Sequence, residues 1–221
     1  MLTLADLVRN RTMSTGMAAT LALAAEERRS MLFVAIPRLA GKSTVMQAAL
    51  QYAPPGTPMH RLSRGAGPGL GIPAAGGGGY LVVAEVSPAG FEEYLWGAEV
   101  RRVFAALGSG FSLATALHAG GADQAFEVLT AQNGVPDDQA ARVDLVTYIR
   151  SVGPWHRPSR RVVSQILEIN GVVDGLPEAR LLHRWSEPDD HFVDVEPPLR
   201  VGTRAGTLER YRAEFDTLEP R

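Results

Sequence analysis

Cysteine is absent from all 221 residues, which excludes disulfides, thiolate metal sites and cysteine nucleophiles together. Long apolar runs are also missing: the longest, MLFVAI at 31–36, falls far short of the roughly 20 residues a membrane helix needs. The N-terminus, MLTLADLVRNR, carries acidic and basic residues where a secretion signal would be apolar. No charge excess compensates. Twenty-two Lys and Arg against 24 Asp and Glu leave a formal net charge of −2, too weak a field to recruit nucleic acid or a membrane surface without specific contacts. His60, His156, His183 and His191 are scattered, with no metal-ligand spacing. These absences lead to the expectation of a soluble cytoplasmic protein with no nucleic-acid partner. The apolar fraction, 45%, is that of a packed globular chain.

What is present begins at AIPRLAGKST, residues 35–44. Gly41, Lys42 and Ser43 occupy the last positions of a phosphate-binding loop, G-x-x-x-x-G-K-[ST], while Ile36 stands where the first glycine belongs. Ile36 is β-branched and precedes Pro37, so it is expected to stay extended, and Leu39 adds a second bulky side chain. Arg38 either supplies compensating charge or folds over the site. In the functional reading, Lys42 meets the terminal phosphates, Ser43 offers a hydroxyl to Mg2+, and backbone N–H groups from Ala40 through Thr44 complete the cradle. The bland alternative is an ordinary strand-to-helix turn with a solvated lysine.

The flanks favour the first. MLFVAI reads as a buried strand, and KSTVMQAALQYA as a helix stopped by Pro54. Upstream, Thr3 caps a helix to about residue 9, and a second helix covers about 15–29. Residues 53–79 break the pattern, and the Gly/Pro-rich part, about 63–79, reads as a mobile loop. YLVVAEV (80–86) is a second buried strand ending at Glu85; a helix is predicted from about 90 to 107. GFSLATALHAG gives a third strand running into His118. ADQAFEVLTAQ and DQAARVDLVTYIRSV suggest two more helices. RRVVSQILEINGVVDGLPEARLLHRW reads as a hairpin with turn signals at Asn170-Gly171 and Asp174-Gly175, and a last helix is predicted at 206–217.

Strands alternating with helices predict an α/β fold with a mainly parallel sheet. The expected division is a core at 1–150 and a small C-terminal lobe with the hairpin at 151–221. Glu85 is either an acid that polarises a water or an exposed strand-end residue; His118 is either a structural histidine or one at the ligand edge of the sheet. The arginine pairs at 28–29, 101–102 and 160–161 read as solvated faces, unless one serves a neighbouring subunit's nucleotide.

Taken in order, strand–GKST–helix, LVVAEV and ATALHAG resemble the secretion ATPases, the motors of type II and type IV secretion and of type IV pili, in particular the conjugation and tight-adherence branches. The resemblance runs from about residue 2 to 186 and includes the LTLADLV lead-in and the C-terminal hairpin. It implies a RecA-like P-loop core that binds ATP and Mg2+, with Glu85 as the Walker B glutamate and His118 as the His-box histidine coupling the γ-phosphate to movement. It also implies a homo-oligomer, hexameric in the family, or association with a full-length motor, and inner-membrane secretion or pilus components as partners. Nothing here matches the family's N-terminal domain or its acidic Asp box, and VSPAG follows Glu85 where the family is more polar. Two functions are consistent with this: a nucleotide-binding motor homologue, or a catalytically degenerate accessory homologue that binds a true motor.

Overall fold

The computed structural model describes residues 1–36, 40–74, 76–154, 157–202 and 206–217. One sheet organises the chain. Its order is β2(Met59–Arg61)-β3(Tyr80–Val86)-β5(Ser112–Leu117)-β1(Met31–Ile36)-β6(Leu145–Val152)-β7(Arg160–Val173)-β8(Leu176–Ser186)-β9(His191–Asp194), with β4(Tyr94–Leu95) also on β3. The strands from β2 to β6 are parallel, and β6 through β9 are antiparallel. This is the α/β arrangement with a mainly parallel sheet and an antiparallel hairpin that the sequence predicts. The strand before GKST and the strand ending in Glu85 are separated by one strand, the one leading to His118. The sheet is continuous across residue 150, where the sequence suggests a lobe boundary.

Helices cover both faces, so the central strands are apolar on both sides. On one face α1(Leu4–Arg9), α2(Thr15–Glu26), α3(Lys42–Leu50) and α7(Thr207–Asp216) pack over Met31, Phe33, Leu145 and Ile149. On the other, α4(Ala98–Leu107), α5(Ala122–Glu127) and α6(Asp137–Ala140) cover Leu32, Val34, Leu113 and Val146. Local signals set the ends. Thr3 and Asp6 form a reciprocal cap: the Thr3 hydroxyl accepts from the Asp6 N–H at 3.1 Å, and the Asp6 carboxylate accepts from the Thr3 N–H at 2.9 Å. The alanine-rich α2 is buried on nearly every side.

Four expectations change. Residues 145–152 form β6, not a helix: its β-branched residues sit between β1 and β7, where inter-strand pairing and burial on both faces override helical spacing. The helix predicted from about 90 begins at Ala98, after Gly97 at φ 63°, because Tyr94 and Leu95 extend to pair with Glu85 and Val86. The stretch 53–79 contains β2, too short and too exposed to leave an alternating pattern. The hairpin turns at Asp174-Gly175, whose φ values of 51° and 77° suit a type I′ turn, while Asn170-Gly171 lies within β7.

Candidate phosphate-binding site

Pairing register brings the site together. Val34 of β1 lies beside Leu117 of β5, and Leu117 beside Val86 of β3, so the C-terminal ends of these three strands are level. Glu85, His118 and the α3 N-terminus therefore meet at one edge, the end of a parallel sheet where ligands bind in such folds.

Gly41 makes the approach to α3. It caps the helix in the left-handed region, φ 99° and ψ 14°, a conformation that favours glycine. The first intrahelical bond there is from the Val45 N–H to the Gly41 carbonyl at 3.0 Å, so the N–H groups of Lys42, Ser43 and Thr44 precede the helical ladder. They are the groups that a phosphate accepts from. Ser43 and Thr44 are exposed, and Ala40 is buried beneath them.

Lys42 is 6% exposed, and its ammonium turns inward. It lies 3.5 Å from a Glu85 oxygen and 3.2 Å from His118 Nδ1. His118 Nε2 lies 3.0 Å from the other Glu85 oxygen. Glu85 itself is only 8% exposed, so a charge there needs partners. A neutral His118 with its proton on Nε2 satisfies the two shortest contacts: Nε2–H donates to Glu85, and the Nδ1 lone pair accepts from Lys42. One buried cation, one buried carboxylate and one imidazole then form a triangle, and His118 Nδ1 also lies 3.3 Å from the Ala35 carbonyl.

Of the sequence-predicted residues, Lys42, Glu85 and His118 are in mutual contact, and Gly41, Ser43 and Thr44 form the adjoining turn; Arg38 lies outside the described residues. Ile36 is the last residue of β1, pairs with Arg150 of β6 and is 48% exposed. Its Cδ1 lies 3.6 Å from where a Cβ on Gly120 would be, so it leans toward the turn after His118.

Sequence reasoning missed one neighbour. A Cβ on Gly41 would lie 3.2 Å from Cδ of Arg161, on β7. Reading 160–161 as a solvated pair overlooked strand alternation, which sends the two side chains to opposite faces. Arg160 stacks over Trp185, 5.5 Å from the ring centroid, and ion-pairs with Asp190; Arg161 goes to the loop. Arg29 is likewise committed, 3.7 Å from Asp144.

No protein-family model matches this sequence, and no curated protein does. Among solved structures, this chain is similar to the VirB11 ATPase from the Brucella suis type IV secretion system, crystallised in complex with sulphate. The two are 19% identical, with a TM-score of 0.43. No family membership follows. The match covers 67% of this chain and 52% of that one, so this chain spans about half the length of the structure it resembles. No described helix is long and apolar enough to cross a membrane, and no described cluster of three or more His, Asp or Glu is placed to hold a metal.

Proposed function

We propose that this chain is a secretion-motor-like nucleotide-binding domain that takes the phosphates of ATP at the N-terminus of α3. The observation that carries this reading is the contact between Lys42, Glu85 and His118, drawn from three separate elements onto one glycine-capped helix start. An ordinary strand-to-helix turn has no reason to collect a buried lysine, a buried glutamate and a histidine around it.

The donor set suits an anion. Gly41 keeps the backbone accessible where a Cβ would intrude, the first-turn N–H groups precede the helical ladder, and Lys42 supplies the charge. Ser43 would offer its hydroxyl to Mg2+, with the phosphates supplying most of the remaining oxygens. Bound Mg–ATP supplies an activated phosphoanhydride. Around it Lys42 would neutralise terminal phosphate charge, Glu85 would orient and polarise a water, and His118 would report the γ-phosphate to β5. The associated assembly, drawn from the sequence resemblance, is a homo-oligomer or a complex with a full-length motor, working with secretion or pilus components at the inner membrane.

The test is calorimetric titration of Mg–ATP and Mg–ADP into this protein and into Lys42→Ala. Micromolar binding lost in the variant supports the reading. No heat with either protein would sink it and favour the accessory role.

A further inference from the structure

The geometry points to Arg161 as a second cationic ligand for the bound phosphates, reaching the loop from β7 in the same chain. This rests on the nucleotide-binding reading and adds to it a residue outside the loop motif. Three observations carry it. Arg161 Cδ lies 3.2 Å from the Cβ position of Gly41, which places the far end of the side chain within reach of the turn that holds the α3 N–H groups. Arg161 is exposed, so its fork can meet an anion arriving from solvent. Finally, the ammonium of Lys42 is already balanced by Glu85 at 3.5 Å. A triphosphate brings several negative charges to a lysine already paired with a carboxylate, and a second cation beside the loop lowers that cost.

The register makes the placement specific. Ile36 pairs with Arg150 on β6, and Ser151, next along β6, pairs with Arg161 on β7. Arg161 thus sits at the level of the end of β1 but two strands away, and its length covers that gap. Arg160 is oriented by Asp190 and Trp185 on the opposite face and contributes nothing to the loop.

The experiment titrates Mg–ATP and inorganic triphosphate, at low and high salt, into the native chain, Arg161→Gln, Arg161→Lys and Lys42→Ala. Arg161→Gln should bind both ligands about tenfold more weakly, the loss expected for one charge-assisted contact, with a shallower salt dependence. Arg161→Lys should be intermediate, since an ammonium keeps the charge without the fork. Melting temperatures are read alongside: a melting change of Arg161→Gln restored by Arg161→Lys without restored affinity would mean a structural role and overturn the assignment. Native affinity in Arg161→Gln, with binding lost in Lys42→Ala, would overturn Arg161 and leave the nucleotide reading standing. No binding by the native chain would overturn both.

Discussion

Replacing Glu85 by glutamine tests whether Lys42 is held in check by a carboxylate. Glutamine keeps the shape and can still accept from His118, but it removes the charge facing the Lys42 ammonium. At 3.5 Å, and at an effective dielectric of about 20, the lost attraction is about 4–5 kcal/mol before desolvation is counted. Glu85 in the native pair also carries a desolvation cost, which the amide avoids. Lys42 meanwhile remains buried and loses its ion pair with Glu85. The net penalty for the empty protein should therefore be about 2–3 kcal/mol.

The same change should strengthen anion binding. On the proposed reading an incoming phosphate competes with Glu85 for Lys42, and Glu85→Gln removes that competition. Pyrophosphate affinity should rise about tenfold, which corresponds to about 1.4 kcal/mol. Urea unfolding with and without saturating pyrophosphate reads both effects: the variant unfolds earlier when empty and is stabilised more by the ligand. Adding Lys42→Met should remove most of the penalty, giving a coupling energy between the two sites. If Glu85→Gln unfolds at the native urea midpoint and binds pyrophosphate no tighter, the triangle has no energetic role.

Gly41→Ala should cost about 1–2 kcal/mol in urea unfolding, since φ 99° is unfavourable for alanine, and the methyl meets Arg161 Cδ at 3.2 Å. Glu168 is 0% exposed, and its carboxylate accepts from the N–H groups of Leu199, Arg200 and Val201. Glu168→Gln leaves one oxygen for three donors and should cost about 2–3 kcal/mol, with trypsin cleavage after Arg200 accelerated. The Thr147 hydroxyl, 0% exposed in β6, has no hydrogen-bond partner among the described residues, so Thr147→Val should raise stability by about 1 kcal/mol, read as a higher melting temperature. Asp194 is held below its ordinary value of 3.8, chiefly by a hydrogen bond with His183 at 2.7 Å and further by Arg212. A depressed folded pKa contributes stability above 3.8 and loses it as pH falls through the lower folded value. Asp194→Asn should therefore cost about 1 kcal/mol at neutral pH, a modest figure because solvent screens the pair, and the gap to the native protein should close below pH 3.8.

The parallel core was legible because its strands are buried on both faces and so read as unbroken apolar runs. MLFVAI and YLVVAEV end within a residue of β1 and β3. Tertiary decisions were not legible. VDLVTYIRSV fits a helical spacing, but the slot between β1 and β7 makes it a strand, and nothing local announces that slot. β2 is three residues long and takes its identity from β3. At the site, the residue types at 42, 85 and 118 were readable, because each terminates or follows a recognisable element. Their mutual contact depends on strand order, which seats β5 between β1 and β3. The approach of Arg161 to Gly41 was unreadable for the same reason: the two are 120 positions apart and meet only through two strand pairings.

Strand geometry also bears on the missing first glycine. A phosphate loop uses glycine where the backbone turns left-handed or must come very close to the ligand. Of the two glycine positions in the motif, the left-handed one is Gly41, and it is retained. Position 36 belongs to β1, in register with Arg150, and extended backbone there suits a β-branched residue. Ile36 therefore requires no strained conformation. Its effect falls on shape instead: a half-exposed aliphatic side chain stands at the end of β1 and leans toward Gly120, in the turn after His118.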